Sequence, residues 1–479
     1  MTLSSISGSF DTGRTGLVGT NGSGKSTLLR LIAGRLTPTT GHITTSGDVD
    51  YLPQSLTLGV NATVSDLLGI TDHLVALHAI EGGEAILVAI ADLRLRRAPI
   101  TLLDEPTNNL DRNARARIAD MVRSWPGTLV VVSHDTAILE LMHDTAELHA
   151  GHLTVFGGAY SAWRAHREQE QGAAVQAARS AKQVVKVERR QRIEAHTKLD
   201  HRSRTAQNSN ENKRGSKILM NQRASDAEVS AGKLRTELDD KLQLAQKASD
   251  TADARVRDDA HIHVDLPDPH VPGSCRIAEI HGRNRTFVVQ GPERIAIIGA
   301  NGVGKTTLLE ALVRSHAEPI DAAPIGAAQA GAASAQLLID REGYLPQRVD
   351  GLDDAATVLG TVRDAAPTLS AGAVRSQLAR FLFRGAAVER LVGTLSGGER
   401  FRVALARLLL ADPPHQLLVL DEPTNNLDLQ SVDQLVDALR SYSGSLIVVS
   451  HDDTFLSRLD LTTTFELDGT GALFETASA

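Results

Sequence analysis

Leu103-Asp104-Glu105-Pro106-Thr107-Asn108-Asn109-Leu110-Asp111 is the stretch that decides the fold, because Leu420–Asp428 repeats it letter for letter. Each copy follows a short apolar run that predicts a buried parallel strand. Open α/β sheets carry out their chemistry where such strands end. The repeat therefore predicts two related α/β domains, each with a site at a strand end.

The acidic pair that ends each strand suits nucleotide hydrolysis. We expect Asp104 and Asp421 to help hold a Mg²⁺ ion, because Mg²⁺ prefers carboxylate and hydroxyl oxygens. We expect Glu105 and Glu422 to polarise the attacking water. A strand that ends by chance in an acidic turn would need the same coincidence twice.

Two glycine-rich loops match the phosphate-binding pattern G-x-x-x-x-G-K-[ST], and each lies between a predicted strand and a predicted helix. Their glycines let backbone N–H groups approach phosphates, the lysine neutralises charge, and the hydroxyl after it reaches Mg²⁺. The predicted ATP-binding residues are Gly19, Asn21, Gly22, Gly24, Lys25, Ser26 and Thr27, and Gly299, Asn301, Gly302, Gly304, Lys305, Thr306 and Thr307. Of these, Ser26 and Thr306 are also predicted metal ligands.

Two further polar residues recur in both halves. Gln54 and Gln347 each end a Tyr-Leu-Pro-Gln sequence, and this recurrence favours a side chain that contacts the metal or the water. His134 and His451 each close a β-branched run downstream of the acidic pair. We predict that these histidines sense the γ-phosphate.

Composition points to folded domains in a reducing compartment. The chain has 479 residues, of which 42% are hydrophobic and 23% are charged, enough for at least two full cores. One cysteine, Cys275, excludes an intrachain disulfide. The longest apolar runs are strand-sized, and residues 1–10 lack the features of a secretory signal. The expected location is the cytoplasm.

The net charge of −8 is unevenly distributed. Residues 179–223 carry 13 Lys or Arg against 4 Asp or Glu, so an acidic body bears a basic segment. Such a segment suggests a polyanionic partner, although charge runs are usually only solvated surface. The predicted RNA-binding candidates are Arg202, Arg204, Lys213, Arg214, Lys217 and Arg223.

The same segment lies in a region that predicts two long helices. Residues 162–265 contain no proline and are rich in helix formers. We expect the break between helices within 203–216, where asparagines and Gly215 disfavour helix. Leu234, Leu238 and Leu242 lie on one face, and we expect them to pack against Val184, Val187 and Ile193.

The order of the motifs resembles the ATP-binding cassette ATPases. The second half adds their Leu-Ser-Gly-Gly-Glu signature at Leu395–Glu399. Two cassettes on one chain, joined by a helical linker of about 100 residues, resemble the ABC-F branch, whose members are soluble and act mostly on the ribosome. The resemblance implies an α/β fold with P-loop NTPase domains at 1–160 and 266–479, and an antiparallel helical linker at 161–265.

In that family the cassettes pair head to tail within the chain. The resemblance therefore implies that Ser396, Gly397, Gly398 and Glu399 complete the ATP site around Lys25. It also implies ATP hydrolysis with Mg²⁺, a translation or antibiotic-resistance role, and a linker that reaches toward tRNA on the ribosome. The alternatives are the ATP-binding subunit of an exporter, which would need a membrane permease partner, and a degenerate scaffold with little turnover.

The first half departs from the family pattern. The matching signature position holds Glu81 instead of serine, and about 22 residues of the first helical subdomain are missing when the spacings after Gln54 and Gln347 are compared. A carboxylate near a triphosphate repels it, so we expect the site around Lys305 to be the weaker one. Only 18 residues precede Gly19, which predicts that the opening strand and its adenine-stacking aromatic residue are absent.

Overall fold

The computed structural model describes residues 3, 6–54, 82–108, 110–211, 217–256, 266–314, 333–349, 351–425 and 427–476. Glu81, the shortened region around it, Lys213 and Arg214 lie outside the described residues. The chain forms two compact units, one of Met1–Ser161 with Ala260–Ala479 and one of Ala162–Asp259. The domain boundaries at 160 and 265 stay predictions.

The first half of the larger unit alternates strands and helices around a parallel sheet. The described elements are β1 (Arg14–Val18), α1 (Lys25–Ile32), β2 (Val49–Leu52), α2 (Gly82–Arg96), β3 (Ile100–Asp104), α3 (Arg112–Arg123), β4 (Thr128–Val132), α4 (Thr136–Leu139), β5 (Asp144–His149) and β6 (His152–Gly157). The sheet order is β2-β3-β4-β1-β5-β6, with only β6 antiparallel to its neighbour. The chain leaving β1 therefore emerges beside the end of β4, with β3 next to it.

Burial on both faces explains why these strands are continuous apolar runs. Leu102 and Val130 pack into a core on one face of the sheet, and Leu103 and Val131 pack into a separate core on the other. All four side chains are buried. A sheet covered on both faces needs no polar alternation, as the sequence predicted.

The smaller unit is built on two long helices, α5 (Tyr160–Glu211) and α6 (Lys217–Arg255). Residues 212–216 between them lie outside the described part of the chain, so the position of the break within 203–216 stays a prediction. Helix α5 nevertheless continues through Asn208 and Asn210, because an asparagine costs only about half a kcal/mol relative to alanine inside a helix. Lys182 pairs with Asp253 at 2.9 Å, and Arg192 pairs with Asp239 at 2.6 Å. These ion pairs show that the two helices run antiparallel.

The structure corrects the prediction of which α5 residues pack against α6. Val184, Val187 and Ile193 are 51%, 47% and 58% exposed, so they do not form the seam. Val185 is half-buried instead, and Ala245 on α6 is buried. The covered positions on this part of α5 are three or four residues apart, and the neighbouring valines lie off that face. These covered positions are Ala178, Ala181, Val185, Glu188 and Arg192. Among the predicted leucines of α6, Leu238 and Leu242 are half-buried and Leu234 is exposed.

The second half of the larger unit repeats the first. Its described elements are β7 (Arg276–His281), β8 (Thr286–Gln290), β9 (Arg294–Ile298), α7 (Lys305–Arg314), β10 (Ser334–Leu337), β11 (Glu342–Leu345), α8 (Val358–Ala365), α9 (Ala371–Arg380), α10 (Gly397–Leu409), β12 (Leu417–Asp421), α11 (Leu429–Arg440), β13 (Ser445–Val449), α12 (Asp453–Leu456), β14 (Thr463–Leu467) and β15 (Leu473–Thr476). The main sheet order is β11-β12-β13-β9-β14-β15, element for element that of the first half.

A second, antiparallel sheet of order β10-β7-β8 accompanies the main sheet in this half. Within residues 6–54, 82–108 and 110–161 the first half shows no counterpart to it. No helix of the described ranges combines the length and apolar character needed to cross a bilayer. The mixed α/β class with two related sheets is confirmed.

The seam of the smaller unit predicts a contrast between two adjacent residues of α6. Ala245 is 9% exposed and Leu244 is 67% exposed. Ala245→Glu buries an unpaired carboxylate and should lower the free energy of unfolding by about 1–3 kcal/mol. Leu244→Glu should change it by less than about 0.5 kcal/mol. Urea unfolding followed by helical circular dichroism measures both, and equal losses would contradict the seam.

Candidate functional site

Each phosphate loop wraps around its own lysine. The Lys25 ammonium donates hydrogen bonds to the carbonyl oxygens of Gly19 at 2.7 Å and Thr20 at 3.2 Å. Gly19 has a φ of 154°, and a Cβ there would lie 2.5 Å from the carbonyl oxygen of Leu148, so only glycine fits. Burial lowers the pKa of Lys25, which Glu105 partly opposes. The loop thus presents a buried cation to an incoming phosphate.

The second loop reproduces this arrangement. Lys305 donates to the carbonyl oxygens of Gly299 at 2.8 Å and Ala300 at 2.7 Å. A Cβ on Gly299 would lie 2.3 Å from the carbonyl oxygen of Leu467. Burial also lowers the pKa of Lys305. Both halves therefore hold a lysine in the geometry that a phosphate-binding loop needs.

The residues predicted to hold Mg²⁺ meet at the strand ends. The Ser26 hydroxyl donates to Asp104 at 3.0 Å, and Tyr51 donates to the other oxygen of Asp104 at 3.1 Å. In the second half both carboxylate oxygens of Asp421 are buried and make no hydrogen bond with the described residues. Burial raises the pKa of Asp421, which the neighbouring Thr306 hydroxyl opposes. A buried carboxylate beside a hydroxyl fits a hard cation, which would supply the missing charge.

A histidine lies against each predicted catalytic glutamate. His134 Nε2 is 3.1 Å from Glu105 Oε1, and the His134 backbone N–H donates to Glu105 Oε2 at 3.2 Å. His451 Nε2 lies 3.4 Å from Glu422 Oε1 and 3.0 Å from Asn301 Oδ1. Each ring thus joins the acidic strand end to the strand beside it, and His451 also reaches the phosphate loop.

Burial sets the protonation of these pairs. It raises the pKa of Glu105 and of Glu422 to about 7. It lowers the pKa of His134 well below its usual range and that of His451 to about 4. At neutral pH both rings are therefore uncharged. The glutamates remain available as proton acceptors near neutrality.

Both glutamates adopt a strained backbone conformation. The φ angles are 51° for Glu105 and 45° for Glu422, in the left-handed region that costs a non-glycine residue about 1–2 kcal/mol. The same strain occurs at the same place in both copies of the repeat. It turns each carboxylate away from the sheet core and toward its histidine.

The two halves contact each other through the last residue of the repeated stretch. Asp428 Oδ1 accepts from the Ser431 backbone N–H at 2.8 Å and caps helix α11, while Asp428 Oδ2 accepts from the Asn21 backbone N–H at 2.7 Å. The equivalent Asp111 caps helix α3 and accepts from the Asn301 N–H at 3.4 Å. Each half therefore reaches into the phosphate loop of the other.

A cleft of about 420 Å³ forms around the first loop from residues of both halves. Of the predicted site residues, its lining includes Asn21, Gly22, Gly24, Lys25, Ser26, Thr27, Gln54, Glu105 and His134. The second half contributes Thr424, Asn425, Leu427, Val432 and Asp452. Asp104 lies fully buried beneath the cleft.

The second cleft is smaller, about 240 Å³. Of the predicted site residues, its lining includes Asn301, Gly302, Gly304, Lys305, Thr306, Thr307, Gln347, Asp421, Glu422 and His451. Among its described lining residues, Leu110 is the contribution of the first half. The first cleft therefore receives more residues from the opposite half than the second.

The signature residues are not among the described residues that line the first cleft. Ser396 caps helix α10, and Glu399 completes a capping box with it. A Cβ added to Gly398 would lie 3.6 Å from the hydroxyl of Ser431, the residue that Asp428 caps. The start of helix α11 thus lies next to the signature. A direct role of Ser396, Gly397, Gly398 and Glu399 in ATP binding stays a prediction.

The RNA-binding candidates are only partly described. Arg202 and Arg204 are exposed near the end of helix α5. Lys217 and Arg223 lie on helix α6, and for these two residues only the backbone is described. The end of helix α5 and the start of helix α6 both belong to the basic segment of residues 179–223.

The sequence argument missed several residues of the clefts. Tyr51 belongs to the repeated Tyr-Leu-Pro-Gln, and Asp111 and Asp428 end the repeated stretch itself, so repetition was a signal for all three. Thr424 and Leu427 line the cleft of the other half, which no local pattern indicated. Arg115 lines the first cleft without being part of any repeat.

Comparison with known proteins supports this architecture. A family model described as ABC transporter matches residues 3–66 and 283–425. The ribosome protection protein VmlR of Bacillus subtilis is 30% identical over 92% of this chain and 80% of its own length. The erythromycin resistance ATP-binding protein MsrA of Staphylococcus epidermidis is 28% identical over 92% of this chain and 90% of its own.

A solved structure shares the fold over nearly the whole chain. The archaeal ribosome recycling factor aABCE1 has a TM-score of 0.56 and 19% sequence identity, covering 97% of this chain and 85% of that one. At this identity the likeness concerns the fold alone.

The contact made by Asp428 predicts an asymmetry between the two clefts. Asp428→Ala removes a helix cap and a charged hydrogen bond, so it should lower the free energy of unfolding by about 1–3 kcal/mol and weaken nucleotide binding at the Lys25 loop. Asp111→Ala should do less, because its bond to Asn301 is longer. Urea unfolding and titration with a non-hydrolysable ATP analogue test this. A larger loss from Asp111→Ala would contradict it.

Proposed function

We propose a function from the premise that this chain belongs to the ABC-F family of ATP-binding cassette proteins. It binds ATP with Mg²⁺ at the two clefts of the larger unit, hydrolyses it, and acts on the ribosome as a translation or antibiotic-resistance factor. The observation that carries the ATPase part is the reciprocal contact of Asp428 with Asn21 and of Asp111 with Asn301. Nucleotide at either loop then stabilises the contact between halves.

The chain's own residues account for the chemistry of hydrolysis. Lys25 and the backbone N–H groups of its loop bind the β- and γ-phosphates, and His134 contacts the γ-phosphate. Glu105 accepts a hydrogen bond from the attacking water and orients it in line. Ser26, Asp104 and Gln54 would hold a Mg²⁺ ion, which would neutralise charge on the phosphates. Lys305, Glu422 and His451 play the same parts in the second cleft, with Thr306, Asp421 and Gln347 as metal ligands.

A ribosomal partner is supported by the relatives and by the linker. VmlR is named as a ribosome protection protein and MsrA as an erythromycin resistance protein, and this chain covers most of both. The basic segment at 179–223 suits an RNA or tRNA partner, since neutralising phosphates drives such binding. This role places the protein in the cytoplasm.

Two other functions remain as alternatives. The ATP-binding subunit of an exporter is favoured by the name of the matching family model, but the long helical linker between the halves counts against it. A degenerate scaffold with little turnover is favoured by Glu81 at the first signature position. ATP hydrolysis that rises on addition of ribosomes would favour the ribosomal function over both alternatives.

Hydrolysis should be asymmetric, with the Lys25 cleft as the faster site. That cleft is the one that the Ser396 signature is predicted to complete, and it receives more residues from the opposite half. Glu105→Gln should therefore reduce the steady-state ATPase rate at least tenfold, and Glu422→Gln should reduce it less than threefold. The amide keeps the shape of the side chain and removes the proton acceptor, so each variant is matched to the other. Equal losses would remove the asymmetry.

Co-sedimentation with ribosomes tests the main function. The double variant Glu105→Gln, Glu422→Gln with ATP should pellet with ribosomes, because nucleotide that is not hydrolysed keeps the halves together. Neutralising Lys213, Arg214 and Lys217 to Gln in this background should weaken pelleting and reduce its dependence on salt. The matched control neutralises Lys233, Arg235 and Lys241 farther along α6. No pelleting of the parent double variant with ATP would refute the ribosomal function.

A further inference from the structure

Arg115 on helix α3 breaks the symmetry of the two halves. It follows Asp111 by four residues, and the equivalent residue after Asp428 is Val432. Arg115 and Val432 both line the first cleft, one from each half. At equivalent places in a repeated interface the chain thus has a guanidinium on one side and an apolar side chain on the other.

The surroundings hold this guanidinium in place. Arg115 Nε donates to the carbonyl oxygen of Leu110 at 3.0 Å, and its Nη1 lies 3.6 Å from Asp135 Oδ2. The side chain is only 17% exposed, although arginine side chains are mostly exposed in proteins. Leu110 itself lines the second cleft. Arg115 therefore lies between the two clefts.

Two carboxylates, one from each half, face this position. Asp135 and Asp452 are equivalent residues, each directly after the histidine of its own half. Together with Arg115 they line the first cleft. The same three residues and His451 also line a separate cavity of about 210 Å³, distinct from both clefts. Burial raises the pKa of Asp452, as does the nearby charge of Asp135, and Arg115 opposes both.

The other arginine and aspartate that line this cavity pair with each other, and each of the two facing carboxylates accepts a backbone hydrogen bond. Arg112 forms an ion pair with Asp453 of the opposite half. Asp135 Oδ1 accepts from the Ala137 backbone N–H at 2.9 Å, and Asp452 Oδ1 accepts from the Phe455 N–H at 2.9 Å. Like charges that meet in a partly buried interface repel each other strongly unless a cation lies between them.

We infer that Arg115 is a positioning residue that joins the two halves between the clefts, by neutralising Asp135 and Asp452 where these carboxylates face each other. The inference rests on the proposed function for one point, that ATP favours contact between the halves. Because Val432 replaces the second arginine, one guanidinium serves both carboxylates. The histidine before each carboxylate is thereby held toward its own glutamate.

A disulfide across the interface measures this directly. The Thr136 hydroxyl donates to the Thr454 hydroxyl at 3.1 Å, so Thr136→Cys and Thr454→Cys, in a Cys275→Ser background, place two thiols within reach. The rate of disulfide formation under a mild oxidant, with and without ATP, reports how often the halves meet.

Arg115→Met should slow disulfide formation about tenfold, because the two carboxylates then repel each other. Adding Asp452→Asn should restore the rate to within about twofold, since asparagine keeps the cap on helix α12 and removes one charge. Arg115→Lys should stay near the parent. Arg123→Met, on an exposed residue of the same helix, is the matched control and should change nothing.

An Arg115→Met rate within twofold of the parent would overturn the inference, as would failure of Asp452→Asn to restore it. If Arg115→Met does not fold, as judged by circular dichroism, Arg115→Lys decides, and a rate tenfold below the parent there overturns it. ATP that fails to accelerate the parent's disulfide formation counts against the proposed function only. The order of the variants without ATP still decides the role of Arg115.

Discussion

The larger unit depends on one carboxylate, that of Asp428. One of its oxygens caps helix α11 and the other accepts the Asn21 N–H of the opposite phosphate loop at 2.7 Å. The acceptor is ionised and only 7% exposed, so this bond is of the kind worth about 1.5–3 kcal/mol. Because the same residue starts a helix in one half and contacts the loop of the other, the position of the helix and the shape of the cleft are coupled.

Burial of charge is the second constraint, and it has opposite effects on the acidic and basic groups. Burial raises the pKa values of Glu105 and Glu422 to about 7. It lowers the pKa values of His134 and His451, so both rings are neutral at pH 7. A neutral histidine beside a glutamate whose pKa is about 7 forms a close pair that is not a fixed ion pair. Such a pair can release either partner to a phosphate or a water without separating full charges in a buried place.

The smaller unit is held differently. Its helices meet through small or half-buried residues such as Ala245 and Leu242, and ion pairs such as Lys182 with Asp253 link them at the surface. Exposed ion pairs contribute about 0–1 kcal/mol each, so they define the antiparallel register more than they stabilise it. The apolar seam is thin, since Val184, Val187 and Ile193 remain at the surface.

The sequence alone determined the repeated α/β halves, the phosphate loops, the acidic strand ends and the two long helices. These features depend on local patterns: apolar runs, glycine spacing and helix propensity, each readable within a few residues. Tertiary structure decided what lies opposite each loop. Thr424 and Leu427 line the first cleft, and Asp428 contacts its loop, from more than 300 positions away. Arg115 and Asp452 line the same cavity from opposite halves. It also decided which valines of α5 face inward, because helix pairing selects one face among several that hydrophobicity leaves nearly equivalent.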